Sequence, residues 1–360
     1  MRSLYRICAA AALFLPILAG AQQPAAPAAG ATAASPQAAA TAAAHDRHIR
    51  LNIVVTDQKG NPITGLTQQD FTVLDEKQFR PIVSFSASSP ALRAAKPPVR
   101  AILVIDSVNL THQEVSFARE QIAKFLLEDG GHLDLPVSIL HLTGKGVRVV
   151  SKPTTDGNRA VADLNDMESE LRPILNAVQY GDYDRYNMSL RALSSVIVSE
   201  SGVPSRKLLI WIGPGWPLLD KAKIVNPTND QERKLFEEIV MFNSLLRAGQ
   251  ITLYSVSAGE PDLFSRLYRT YLKGVKSPQQ TNTGDLGEEV LAIQTGGLVL
   301  GPDNDLAAQI ARCMRDAGVF YTVTFDVPHA GREDEYHDLK VQVDKPGLTV
   351  RTSTGYYDQP

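Results

Sequence analysis

Residues 106–110, Asp-Ser-Val-Asn-Leu, gather oxygen donors in one short stretch: a carboxylate at Asp106, a hydroxyl at Ser107 and an amide at Asn109. Hard oxygens of this kind suit Mg2+ or Ca2+, and Asp182 or Asp184 could add the further carboxylate that such an ion needs. The same side chains also serve a plainer purpose, because Asp and Asn bond their own backbone and fix a turn or a helix start. A hard cation takes about six oxygens, and Val108 and Leu110 contribute none. The capping purpose is therefore preferred, no cofactor is expected, and any Mg2+ or Ca2+ would be held weakly. A second group is Tyr180, Tyr183, Arg185 and Tyr186 in one polar stretch, with Trp216 following Gly213, Pro214 and Gly215. Tyr, Trp and Arg are the types that anchor protein interfaces, so these five are the expected partner-binding residues. Their other purpose is packing: a tyrosine-rich loop lying on its own domain, and Trp216 as either an exposed anchor at the top edge of a sheet or a plug in a pocket.

Contiguous catalytic patterns are missing from the sequence. The seven His residues show no His-Glu-x-x-His spacing, there is no Gly-x-Ser-x-Gly elbow, and no phosphate-cradling glycine loop follows Asp106. The glycines near Gly213 follow an apolar run, yet Pro214 and Pro217 remove amide donors that a phosphate site would use. The expected function is non-enzymatic protein binding. Two other readings compete with it: a hydrolase or other enzyme assembled in space from Asp106, Asp182 and Asp184, and a purely structural envelope protein.

These residues need elements to hold them. The unbroken apolar run Ala101 to Ile105 predicts a strand buried on both faces, with Asp106 lifted to the rim at its carboxyl end. Thr111 and Glu114 have the Thr-x-x-Glu spacing of a capping box, and Val115, Ala118, Ile122, Phe125 and Leu126 fall on one face of the helix that follows. In an open parallel sheet ligands bind beyond the carboxyl ends of the strands, which places the Asp106 loop where function is expected. Further along, Leu135–Leu142 and Val147–Val150 predict a hairpin with an antiparallel edge strand. Asp156–Leu171 and Met188–Ser199 predict helices, leaving 180–187 as a loop. Lys207–Ile212 is a central strand, followed by a polar insertion (214–231), a helix (232–247), a strand (251–257) and a second insertion (259–284). A helix (286–295), a short strand (298–300) and a helix (306–317) close the middle.

The ends differ. Arg2 and Arg6 precede an apolar run and Ala19-Gly20-Ala21, the pattern of a secretory signal peptide over residues 1–21. Its dozen or so apolar residues fall short of the roughly 20 that span a bilayer, so no transmembrane span is expected after cleavage, and the location is secreted or periplasmic, at the cell envelope. Residues 22–47 are an Ala/Pro-rich tether, without a charge from Gln22 to Ala44. From 48 to 96 the sequence alternates as half-buried strands do, and so does 319–360; the two ends are expected to join into one β-sandwich from which 97–318 is inserted. A net charge of −3 and a pI near 6.2 give no basic footprint, which excludes nucleic acid as an expected partner. Cys8 belongs to the leader, so Cys313 stands alone and reads as a small core residue.

The middle resembles a von Willebrand factor type A domain over roughly 97–317, in the strand ending at Asp106, the helix after it, the edge hairpin near Gly144 and the strand 208–212 with its turn. The flanks, from Val55 to Phe71 and from Lys345 to Tyr357, are similar to secreted bacterial type A proteins of the Acidobacteria type. The resemblance implies a doubly wound, mostly parallel α/β sheet and a protein-binding role. It also implies a metal-ion-dependent adhesion site formed by an Asp-x-Ser-x-Ser loop, a Thr and a second Asp. Here Val108 and Leu110 stand at the Ser positions, Gly213 stands near the Asp position and 180–187 has no Thr, so the site is expected to be degenerate.

Overall fold

The computed structural model describes residues 48–89, 99–167, 181–217, 228–258, 267–327 and 332–358, all within one compact unit, 47–360. The leader, the tether and Tyr180 lie outside the described residues. The amino-terminal strands are β1 (His48–Thr56), β2 (Phe71–Asp75), β3 (Gln78–Arg80) and β4 (Ile82–Ser88). The middle runs β5 (Val99–Asp106), α1 (His112–Leu126), β6 (His132–Thr143), β7 (Gly146–Asp156), α2 (Gly157–Asp166), α3 (Asp182–Glu200), β8 (Arg206–Gly213) and α4 (Asn229–Ala248). It continues with β9 (Ile251–Ser257), α5 (Glu288–Gln294), β10 (Val299–Leu300) and α6 (Leu306–Gly318). The carboxyl end adds β11 (Phe320–Asp326), β12 (Glu335–Val343), β13 (Thr349–Arg351) and β14 (Gly355–Asp358).

The middle is a doubly wound α/β layer around a six-stranded sheet of order β10-β9-β8-β5-β6-β7, all parallel except the edge strand β7. Successive residues of β5 point to opposite layers, as period-two geometry requires. Leu103 and Ile105 pack with Val115, Ala118 and Ile122 of α1, Leu164 of α2, and Ile310 and Cys313 of α6. Ile102 and Val104 pack with Leu190, Leu193 and Ile197 of α3, Ile239 and Leu246 of α4, and Leu291 of α5. A strand covered on both sides has no polar face, which is why its sequence shows no alternation. Cys313 is a free, buried thiol in this core.

The two ends of the chain mix strand by strand. One four-stranded sheet has the order β13-β1-β11-β4 and the other β14-β12-β2-β3; both are antiparallel, and their inner faces share a core of Leu51, Ile53, Phe71, Val73, Val323, Phe325, Leu339 and Tyr356. The sequence pattern predicts strands at 48–55, 72–75, 81–85, 319–327, 337–343 and 348–353, which correspond to β1, β2, β4, β11, β12 and β13. It missed β3, because the turn before it uses Glu76 and Lys77 at positive φ (47° and 66°) in place of the Gly or Asn that normally marks such a turn. It also missed β14, four buried residues with no polar partner positions to reveal a period.

Helix α3 differs in kind from the expectation. It starts at Asp182, capped by Gly181, with Asp182 and Asp184 in its first turn, where carboxylates complement the positive end of the helix dipole. Residues 182–187, read from the sequence as loop, are therefore helix, and Tyr183, Arg185 and Tyr186 occupy its first two turns.

At the end of the sheet away from Asp106, Asp316 of α6 joins the middle to the β-sheets. Its carboxylate accepts from Tyr254 Oη at 2.8 Å and from Arg351 Nη2 at 2.7 Å, while its carbonyl accepts from Arg206 Nη1 at 2.6 Å. Arg206 also lies over the Phe320 ring, 4.3 Å from its centroid. Removing one partner of a buried ionic group strands the others. Asp316→Ala is expected to lower unfolding free energy by about 3–5 kcal/mol, measured by urea denaturation; a loss below about 1 kcal/mol would show that the network is not a joint.

Candidate functional site

Asp106 ends β5, and the chain turns at once into the Thr111–Glu114 capping box. Glu114 N donates to Thr111 Oγ1 at 3.3 Å, and Thr111 N donates to Glu114 Oε2 at 2.7 Å. The turn between is organised by Asp106 itself. Its Oδ1 accepts from the amides of Val108 and Asn109, both at 3.1 Å, and its Oδ2 accepts from Asn109 Nδ2 and Trp211 Nε1, both at 2.8 Å. Asn109 Nδ2 also donates to Ser189 Oγ of α3 at 3.0 Å, and Arg185 Nη1 approaches Asn109 Oδ1 at 3.4 Å. Arg185 Nη2 in turn pairs with Asp182 at 2.6 Å. The structure therefore does bring the Asp106 turn and the start of α3 together, through Asn109.

It does not leave the carboxylate at an open rim. Asp106 is 0 % exposed, and Gly213 passes so close that a Cβ there would lie 3.2 Å from Asp106 Cβ. Val108 and Leu110, at the positions where the resemblance would put Ser, are buried among apolar side chains. Burial pushes the Asp106 carboxyl above its ordinary value, while the bonds from Asn109, Trp211 and Val108 pull the other way.

Ser107 faces His141 of β6, with Oγ and Nε2 2.6 Å apart, both side chains buried. Burial, followed by the nearby Arg148 and Arg119, lowers His141 to about 4, so the imidazole is neutral at ordinary pH. A serine beside a histidine is the first half of a nucleophile and base pair. The groups acting on His141 are cations and not the carboxylate that would orient it as a base, and Ser107 is buried away from any substrate.

The expected partner-binding residues divide sharply. Tyr183 is 61 % exposed on the first turn of α3. Arg185 is partly buried by its bonds to Asp182 and Asn109. Tyr186 is buried and donates its hydroxyl to Thr283 O at 3.0 Å, tying α3 to the second insertion. Trp216 is 3 % exposed, edge-on to Trp211 with centroids 5.2 Å apart at 75°. Tyr186 and Trp216 are therefore corrected from surface anchors to packing residues; of the two purposes open to Trp216, the plug is the one observed. The reason is the Asp106 bond of Trp211, which fixes an aromatic face at the sheet's end that Trp216 covers. Asp182 and Asp184 lie exposed on α3, and Asp182 reaches the Asp106 turn through Arg185.

Three acids that the sequence reading passed over lie nearby. Asp285, Glu288 and Glu289 surround the start of α5, all buried. Acids at a helix start ordinarily face solvent, so only the apolar crowding of residues 284–292 could have signalled them.

No family model and no curated protein matches the chain. Solved structures similar to it include the human COPII-coat protein Sec24c, at 10% identity and TM-score 0.34 over 79% of this chain and 49% of that one. The SpRpn10 VWA domain is similar at 10% identity and TM-score 0.31 over 60% of this chain and 94% of that one. Manganese-loaded Plasmodium vivax TRAP protein is similar at 12% identity and TM-score 0.32 over 75% and 96%. The doubly wound α/β fold rests on the strand order above, to which likeness at this level adds nothing.

The resemblance of 97–317 to type A domains implies a divalent cation at the end of β5, and the donor set here does not fit one. Such an ion needs oxygens converging on it, whereas Asp106 is met by four N–H donors. Among the described residues no three His, Cys, Asp or Glu side chains are grouped to hold a metal ion. A hydrogen bond to a charged group contributes about 1.5–3 kcal/mol. Trp211→Phe, which keeps the aromatic packing and deletes the indole N–H, is expected to lower stability by about that amount in chemical denaturation. No loss would mean that Trp211 does not hold Asp106.

Proposed function

We propose that this chain is a non-enzymatic protein-binding module of the cell envelope or the secreted space, and that it presents the start of α3 to a protein partner without help from a metal ion. The observation that carries this reading is Tyr183: a large aromatic side chain 61 % exposed on a helix turn whose neighbours are tied down. Arg185 bonds Asp182 and Asn109, and Tyr186 bonds Thr283. A rigid, amphipathic ring contributes contact area at little entropic cost, and aromatic and Arg residues are the types on which interface energy concentrates. The four N–H donors on Asp106 support a surface already set in the free protein.

The secretory leader read at residues 1–21 and the Ala/Pro-rich tether at 22–47 support placement outside the cytoplasm. Among the described residues no helix is long and apolar enough to cross a membrane. The enzyme reading is disfavoured by the burial of Ser107 and by the outward position of Asp182 and Asp184. Affinity to an acidobacterial group of secreted type A proteins is part of the proposal and rests on the flanking segments 55–71 and 345–357.

A photo-crosslinking residue at 183 tests it, in full-length protein incubated with envelope and secreted fractions of the source cells. The expected result is one discrete adduct from position 183, competed away by unlabelled wild type and not by Tyr183→Ala. No such adduct should form from position 149, where Val149 is comparably exposed on the edge strand β7. Equal smears from both positions, or no adduct at all, would contradict a binding face at the start of α3.

A further inference from the structure

We propose that the cavity at the amino edge of the six-stranded sheet, the end away from Asp106, binds a small zwitterion with an apolar body, of the size and chemistry of an apolar dipeptide. The inference does not depend on whether the start of α3 binds a protein.

The cavity has a volume of about 450 Å³, within the range of small-molecule sites. It lies where the α/β layer meets the β-sheets, the kind of junction at which such sites are common. The end of α1, the start of β6 and the last turns of α6 wall it, and Pro62, after β1, and Val319, before β11, add to them from the flanking sequences.

Its lining is of two kinds. Phe125, Leu133 and Leu135 are buried and Met314 and Val319 half-buried, so the apolar body of a ligand has a surface to pack on. Around them stand exposed groups of both charges: Glu128 and Asp129 beyond the end of α1, Asp134 and His132 of β6, and Arg315 of α6. Helix α1 ends at Leu126, so Glu128 and Asp129 add to the negative end of its dipole, and together they favour an ammonium. Arg315 lies in the last turn of α6, and its planar guanidinium suits a carboxylate. A simple anion would meet Glu128 and Asp129, and a simple cation would meet Arg315. A ligand that carries both charges on an apolar body complements the whole lining.

The acid side is held in shape before any ligand arrives. Asp129, Gly130 and Gly131 take successive positive φ of 49°, 71° and 85°, a conformation that Asp tolerates and that turns the chain from α1 into β6. Asn158 of α2 donates from Nδ2 to Gly130 O at 3.3 Å and packs on Gly131 so closely that no Cβ would fit there. A site fixed in this way loses less to ordering when it binds.

Isothermal calorimetry on full-length protein with the dipeptide leucyl-leucine tests the assignment, and saturable binding tighter than about 1 mM is expected. N-acetylation of the probe removes its ammonium and amidation removes its carboxylate; each is expected to weaken binding by roughly tenfold or more, as loss of a hydrogen bond to a charged group does. Glycylglycine, which keeps both charges and lacks the apolar body, should bind more weakly than leucyl-leucine. In the protein, Arg315→Gln should bind leucyl-leucine and its amide alike. Glu128→Gln combined with Asp129→Asn should bind leucyl-leucine and its N-acetyl form alike, with Asn keeping the left-handed turn. These are exposed positions, so far-UV circular dichroism should not change in either variant. The proposal is overturned if leucyl-leucine gives no saturable heat, if the acetylated or amidated probe or glycylglycine binds as tightly as leucyl-leucine, or if either variant keeps wild-type affinity.

Discussion

The structure depends on how one carboxylate is satisfied. Asp106 ends the central strand of a sheet covered on both faces, so it sits where an unpaired charge would be most costly. Four N–H groups converge on it: two backbone amides of its own turn, the Asn109 amide and the Trp211 indole. Much of the surrounding rim follows from that arrangement. The backbone bonds set the turn into α1, Asn109 reaches across to Ser189 and so positions α3, and Trp211, fixed by its bond, offers the face on which Trp216 packs. A single buried group thereby aligns two helices and a loop contributed by distant parts of the chain.

The consequence for function is a surface that is already shaped in the free protein. In an oxygen-rich loop, geometry at this point would answer to an ion. Here four N–H groups of the protein meet Asp106, and packing and hydrogen bonds shape the rim around it. Tyr183 stands exposed on an anchored helix turn of the same rim.

The fold was largely legible in the sequence, and the reasons are local. The unbroken run 101–105 could only be a strand covered on both sides, the Thr111 and Glu114 spacing announced the helix that covers one of them, and alternation in 48–55 and 337–343 marked strands with one inner face. The site was less legible because its decisive contacts are not local. Trp211 reads as one more apolar strand residue; nothing in its neighbourhood says that its indole N–H meets a carboxylate 105 positions earlier. Tyr186 and Trp216 have the composition of interface anchors and differ from Tyr183 only in what happens to lie over them. Glu288 and Glu289 look like solvent-facing residues of a helix's first turn, yet both are buried, and the backbone at Gly215 lies against Glu289. The start of α3 was read as loop because its first turn is polar on every side, whereas its helical state comes from Gly181, the two first-turn carboxylates and the bonds of Arg185.

Isothermal calorimetry with Mg2+, Mn2+ and Ca2+, on wild type and on Asp106→Ala, bears most directly on the claim that protein N–H groups stand in the place of an ion. The account predicts no saturable heat tighter than about 1 mM, equivalent to about 4 kcal/mol, for any of the three ions with either protein. Micromolar binding to wild type that disappears in Asp106→Ala would contradict it.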